Sequence, residues 1–347
     1  MTVTETNSPH PAYDIITLGS ATIDFFADTD SELIRIDTRT THEELLAFPL
    51  GAKMLVNELN TTTGGGGTNT AVAFARLGFR TAWLGKLGND LNGDYVLADL
   101  AAENVDFVGA RAGKTGVSFV LNSIRDDRTI LTYKGANNTF GKPDIPDLHA
   151  PWLYISSMIG DSWNTVVAHA TSVAGKLAFN PSSYQACMGY EKLRVLTDRV
   201  SILVMNLEEA CLYLGFDPQQ HHDGGELAQA LARMPGQTAI VTNGAQGVSV
   251  YTEGTILTGK PMADIRIMEA TGAGDAFAAT YTACHIRGMA PEKAVHYAMT
   301  NAESVLQHKG AKEKLLSWPE LEATAARQTR QITSRSCQQT STKGKSK

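Results

Sequence analysis

Cysteine is scarce and unpaired in this sequence. Cys187, Cys211, Cys284 and Cys337 are widely scattered, with none of the close spacings that mark a zinc site or a disulfide framework, so reduced thiols are expected. No run approaches the roughly eighteen apolar residues that a membrane span requires, and the opening "MTVTETNSPHPAYD" lacks the basic start and apolar stretch of a signal peptide. The expectation is a cytoplasmic protein with no membrane partner. An excess of positive charge is also missing. The net charge is −6, and residues 326–347 hold six basic residues and no acid, so the rest of the chain carries −12. An acidic body argues against nucleic acid as a partner. The basic, Ser/Thr/Gln-rich residues 326–347 read as a disordered tail, and residues 1–12 as a disordered start.

Several motifs are absent as well. There is no G-x-x-x-x-G-K-[ST] loop, which excludes a P-loop nucleotide site, and no H-R-D or D-F-G set of a protein kinase. The first strand ends in "LGSATID", without the G-x-G-x-x-G turn that a dinucleotide pyrophosphate needs.

What is present is a chain of 347 residues, 43% hydrophobic, enough to bury one large α/β domain or two smaller ones. Short apolar runs, "YDIITLG", "TAWLGKLG", "WLYISS", "KLAFNP", "SILVMN" and "AIVTNG", read as strands. They alternate with helical patterns near residues 69–77, 91–103, 164–174, 207–214 and 226–233. Such alternation predicts a mostly parallel central sheet flanked by helices, with ligands beyond the carboxyl ends of the strands. Two stretches, residues 24–62 and 114–138, break the pattern with strand-like alternation and hairpin chemistry near residues 125–128. They are expected to pair as a small β-sheet that projects as a lid, with residues 31–50 less regular and containing a short helix. An exposed edge of that sheet could pair with a second subunit.

Three loops carry chemistry. In "TTTGGGGTNTAVAFARLG", the glycines 64–67 either form a turn capped by Asn69 or let the backbone approach a ligand, and Gly78 ends the helix. In "LVMNLEEACLYLG", Asn206 ends a strand while Glu208 and Glu209 open a helix; simple capping is one reading, and holding a hydrated magnesium ion through Asn206 and Glu209 is the other. In "EATGAGDAFAATYTACHIRGM", the small residues Gly272, Ala273 and Gly274 leave amides free to bind an anion at a helix start. Asp275 beside them would repel a phosphate if it were only a cap. The conflict disappears if Asp275 takes a proton from a hydroxyl that attacks the phosphate.

In this order, "GGGGTNTAVAFARLGFRTAWLGKLGNDLNGD", "NLEE" and "ATGAGDAFAA" resemble the signatures of the ribokinase-like (PfkB-type) carbohydrate kinase family, over residues 13–325. The resemblance implies a ribokinase-like α/β fold with a β-lid, ATP as phosphate donor, magnesium, and a sugar or nucleoside acceptor. It implies Asp275 as catalytic base, with Gly272, Ala273 and Gly274 as the anion hole. Asp24, Gly65 and Asn69 would bind acceptor hydroxyls. Asn206 and Glu209 would organise magnesium and phosphate; Thr242, Gly244 and Gly247 would contact ATP, and the helix around Asn301 would flank adenine. Where many ribokinases read "GGKGAN" this chain has Gly66 in place of the lysine, and Asp161 is the one candidate for the acid that follows the mid-chain strand. Glu269 stands where the family places aspartate, as the candidate ligand of a monovalent cation such as K+, with weaker potassium activation expected. The reading is an ATP-dependent kinase of a sugar or polyol. A nucleoside kinase, with Trp163 lining a slot for the base, is the alternative; a non-catalytic sugar-binding regulator is a third.

Overall fold

The computed structural model describes residues 12–28, 32–37, 42–51, 53–122 and 128–337. Residues 1–11 and 338–347, both expected to be disordered, and most of the hairpin turn near 125–128 lie outside the described residues.

Apolar four- and five-residue runs form the centre. In chain order the elements are β1 (Ile15–Leu18), β2 (Thr22–Asp28), β3 (Glu32–Asp37), β4 (His42–Ala47), β5 (Glu58–Gly64), α1 (Gly66–Arg76), β6 (Thr81–Leu84), β7 (Lys86–Leu87), α2 (Leu91–Ala102), β8 (Val105–Phe107) and β9 (Ala110–Arg111). There follow β10 (Gly116–Asn122), β11 (Arg128–Tyr133), β12 (Trp152–Ile155), α3 (Asp161–Ser172), β13 (Lys176–Phe179), α4 (Ser183–Ala186), α5 (Tyr190–Thr197), β14 (Ile202–Asn206), α6 (Leu207–Leu214) and α7 (Gly224–Leu231). The last are β15 (Thr238–Thr242), β16 (Val248–Thr252), β17 (Thr255–Gly259), α8 (Ala273–Ile286), α9 (Pro291–Leu306), α10 (Trp318–Ala325) and β18 (Ile332–Ser336).

The central sheet has the order β18-β17-β16-β15-β14-β13-β12-β1-β6-β8. From β15 to β8 every neighbouring pair is parallel, and β16, β17 and β18 add antiparallel strands at one end. Side chains alternate across it, as the period of two in a strand demands. Ile15, Tyr154, Ala178 and Ile202 enter one core with α1, α8 and α9. Ile16, Leu153, Leu177 and Leu203 enter the other with α3, α5, α6 and α7. A sheet buried on both faces explains why its strands read as unbroken apolar runs. The alanine and threonine run of α8, buried from Ala276 to Cys284, lets that helix pack between α1 and α9.

The second sheet, β11-β10-β2-β5, joins the two stretches expected to form the lid. β10 pairs parallel with β2 and antiparallel with β11, and β2 pairs antiparallel with β5. Residues 31–50 depart from expectation: instead of a short helix, their described part forms the antiparallel pair β3–β4, as the period-two pattern of "ELIRID" favours.

The expected disordered tail also needs correction. Residues 326–337 are described, and β18 runs antiparallel to β17 from Ile332 opposite Gly259 to Ser336 opposite Thr255. Its side chains are mostly polar and exposed, so its hydrophobicity is no guide. The edge of β17 offers main-chain hydrogen bonds, which do not depend on side-chain type.

Candidate active site

Five neighbouring parallel strands deliver polar residues from their carboxyl ends to one recess of about 290 Å³. They are Ser20 beyond β1, Ser156 after β12, Asn180 after β13, Asn206 at the end of β14 and Thr242 at the end of β15. Three helix starts reach the same recess: Gly66 of α1, Asn206 and Glu209 at α6, and Gly272, Gly274 and Asp275 at α8. No lysine or arginine lines it. Converging helix N-termini present free amides and partial positive charge, which suits an anion.

Each helix start is shaped by its residues. Gly65, at φ +96°, precedes α1; a Cβ there would lie 2.5 Å from the Ser20 carbonyl oxygen. Gly272, at φ +82°, precedes α8; a Cβ there would lie 2.4 Å from the Ala311 carbonyl oxygen. Both positions therefore require glycine. Neither helix has a side-chain cap. Of the two readings of Asn69 the cap does not hold: the residue lies inside the first turn of α1 and donates from Nδ2 to Asp275 Oδ2 at 2.8 Å. This bond brings two sequence-distant loops together. Burial pushes the Asp275 carboxyl above its ordinary range, and the Asn69 amide partly opposes that shift. Gly78, at φ +86°, follows the end of α1 as expected.

At α6 both readings of "NLEE" coexist. Asn206 Oδ1 accepts from Glu209 N–H at 2.8 Å and Glu209 Oε2 accepts from Asn206 N–H at 3.0 Å, a capping box. Yet both residues also line the recess. The Glu209 carboxyl is pushed up to about 6, first by burial and further by the negative charges of Glu208 and Asp275, while the Asn206 N–H acts the other way.

Asp24 lies on the lid strand β2, in register with Thr62 on β5 and Ser118 on β10. Burial raises its pKa, against hydrogen bonds from Thr22 and Ser118 and the charge of Lys312. Asp24 Oδ1, Thr62 Oγ1 and Asn69 Oδ1 are buried without a hydrogen-bond partner in the protein. Such groups are costly unless a ligand satisfies them.

A larger cavity, about 590 Å³, adjoins the recess and shares Thr242 and Gly274 with it. Gly244, Gly247 and Gly274, read from the sequence as ATP contacts, line it, and so does Ala273 of the expected anion hole. Asn301 does not. It is fully buried between α8 and α9, donating to Thr280 Oγ1 at 2.8 Å and accepting from Leu316 N–H at 2.9 Å, so its polar groups serve packing. The faces of α9 that do reach the cavity carry Met299, Ala302, Glu303 and Leu306. Asp161 is exposed in the first turn of α3 and lines neither cavity, and Trp163 stacks on Phe179 inside the core at 5.5 Å.

Glu269 Oε2 accepts from Gly310 N–H at 3.0 Å, and its Oε1 is buried without a partner. Sequence reasoning missed Ser20, Ser156, Ser157, Asn180 and Ser182 in the recess. Their one signal was position, just after apolar strands.

A family model described as pfkB family carbohydrate kinase matches residues 14–318. An ATP-dependent ribose-1-phosphate kinase from Halopiger xanaduensis is 26% identical over 272 residues, which cover 76% of this chain and 85% of the relative. Among solved structures, a nucleoside kinase from Methanocaldococcus jannaschii superposes with a TM-score of 0.72 at 18% identity, covering 92% of this chain and all of that one. An Arabidopsis thaliana ribokinase complexed with ribose and ATP gives a TM-score of 0.70 at 20% identity, covering 90% of this chain and 98% of that one. The family match spans both glycine loops, the capping-box helix and the strand ends between them, and on that ground the chain belongs to the pfkB family of carbohydrate kinases.

Proposed function

We propose that this protein is an ATP-dependent kinase that transfers the γ-phosphate to a hydroxyl of a sugar or polyol. The observation that carries the reading is the Asn69–Asp275 hydrogen bond. It joins the starts of α1 and α8 and sets a carboxylate at a recess, reached also by the start of α6, that opens past Gly274 and Thr242 into a cavity large enough for a nucleotide. The relatives named as an ATP-dependent ribose-1-phosphate kinase and a ribokinase with ribose and ATP support the donor.

With Oδ2 held by Asn69, Asp275 Oδ1 accepts the proton of the attacking hydroxyl. The new oxygen–phosphorus bond forms as the bond to ADP breaks, and the amides at Gly272, Ala273 and Gly274 face the charge on the transferred group. The buried, partnerless oxygens of Asp24, Thr62 and Asn69 fit the hydroxyls of the acceptor.

Among the described residues no group of three His, Cys, Asp or Glu is placed to hold a metal. Two acids, Glu209 and Asp275, share the recess with no cationic side chain, which fits a magnesium ion held mostly by water and phosphate oxygens. Glu209 and Asn206 would hold it through water, and it would neutralise charge on the phosphates. The partnerless Oε1 of Glu269 fits a monovalent cation.

Trp163 packs in the core and offers no slot for a base, which favours a sugar or polyol over a nucleoside. ATP consumption measured over a panel of sugars, polyols and nucleosides tests the reading. Consumption with a nucleoside alone would reassign the acceptor, and none with any would remove the activity. Lid closure is read from hydrogen exchange: residues 24–62 and 114–138 should gain protection when acceptor binds, and unchanged exchange at saturation would remove the lid role. The exposed apolar side chains Leu59, Phe119, Leu131 and Tyr133 on the lid suit a homodimer contact.

A further inference from the structure

The wall of the larger cavity formed by residues 260–263 has open space on both sides. Lys260, Pro261, Met262 and Ala263 line the 590 Å³ cavity on one side and a second cavity of about 430 Å³ on the other. Side-chain packing therefore contributes little to holding it. Hydrogen bonds replace that packing, and they trace to the C-terminal segment, beyond the residues that match the family.

Arg330 is the centre of this arrangement. Its Nη1 donates to the Lys260 carbonyl at 2.6 Å and its Nη2 to Glu303 Oε2 at 2.6 Å. Glu303 Oε1 in turn accepts from Met262 N–H at 3.0 Å. The wall is thus tied at Lys260 directly and at Met262 through Glu303. The ion pair is almost wholly enclosed, with side-chain exposures of 1% for Arg330 and 4% for Glu303. Removing one member would leave the other charged, unpaired and largely enclosed.

The same face of α9 receives the rest of the segment. His296 Nε2 lies 2.9 Å from the Ala325 carbonyl, and its Nδ1 accepts from Arg330 Nε at 3.3 Å. Thr300 Oγ1 donates to Gln328 Oε1 at 2.7 Å. Residues 296, 300 and 303 follow helical spacing, so one polar stripe anchors the returning chain before β18 joins the sheet.

We infer that Arg330 is a positioning residue for the nucleotide cavity, fixing the wall at residues 260–263 against which the donor nucleotide binds. The inference rests on the nucleotide reading of that cavity. Its chemistry is that of preorganisation: a wall already held in place costs less order on binding.

Calorimetric titration of the full chain with ADP tests it, with melting recorded for every protein. The parent should bind ADP, and Arg330→Met should bind about tenfold or more weakly. The double variant Arg330→Met/Glu303→Gln removes the unpaired charge while the amide oxygen still accepts from Met262 N–H. It should remain weakened, because the tie to the Lys260 carbonyl is still lost. Arg330→Lys, which keeps a charge but fewer donors, should recover part of the affinity. Parental affinity in either Met variant, even with a lowered melting temperature, would overturn the inference, since Arg330 would then serve only stability or charge balance. A parent that binds no ADP would instead overturn the nucleotide reading itself, and the inference with it.

Discussion

Of the helices that start with an acid in the first turn, α6 and α8 both reach the recess, and their acids do different work. In α6, Glu209 is locked into a reciprocal capping box with Asn206. In α8, Asp275 caps nothing, because Gly272 opens the helix without a side-chain cap and the carboxylate turns to Asn69 on α1. One acid completes its own helix; the other is held by a different one. The contrast teaches that the residue type at a helix start does not decide its role. The partner available in space does.

The sharpest way to break this comparison is Asp275→Asn. General-base catalysis contributes about 10²- to 10⁴-fold, so kcat should fall by that order. ADP affinity should stay near that of the parent and the melting transition should not fall, since the carboxylate caps nothing and its burial costs stability when it is ionised. A variant that melts normally and retains kcat within a few-fold would make Asp275 equivalent to a structural acid.

Glu209→Gln sharpens the other side. The carboxyl stands at about 6 in the folded protein against 4.5 for the free side chain. The folded state therefore holds the proton more tightly than the unfolded state, and stability contributed by this group falls as pH rises from 4.5 towards 6, then levels off. The glutamine variant keeps the acceptor for Asn206 N–H, lacks the ionised form, and should lose this slope. Without magnesium it should be more stable at neutral pH by on the order of 2 kcal/mol. Its activity should also need more magnesium. Melting against pH and a magnesium titration of rate decide both points, and an unchanged pH slope would show that Glu209 is not the titrating group.

Asn206→Ala removes the cap itself and should cost about 1 kcal/mol in chemical denaturation. A loss of activity much larger than the loss of stability would place Asn206 at the phosphates as well. The smallest effect concerns Glu269, whose one oxygen is tied to Gly310 N–H while the other is buried without a partner. Replacing potassium by a large organic cation at equal ionic strength should lower the rate by only a few-fold. No change at all would remove the cation site.

Much of this candidate site was legible in the sequence. Asp275 beside small residues conflicts with capping, and that conflict is local, so it shows in a window of ten residues. The strand run "SILVMN" ends on Asn206 in the structure as in the sequence, and "AIVTNG" holds the strand that ends on Thr242, two residues before the run does. Asn301 was misplaced because a helix alone does not say which of its faces meets a cavity. Its neighbours Met299, Ala302, Glu303 and Leu306 lie on the faces that do. Arg330 was read with the other basic residues of a polar tail, since nothing near it in sequence announces the carbonyl of Lys260, seventy positions earlier.

The sequence by itself determined the parallel sheet, the glycine-led helix starts and the acid placed among free amides. Each of these follows from short-range rules: apolar runs buried on both faces, backbone angles that exclude a Cβ, and charge against a helix dipole. The tertiary structure decided which atoms those features face. Asn69 and Asp275 are 206 positions apart, and Arg330 meets Glu303 where the chain returns along α9, just before β18 takes up the open edge of β17. Partners so distant in the chain are chosen by packing and by unmet main-chain hydrogen bonds, and neither leaves a mark on the residues nearby.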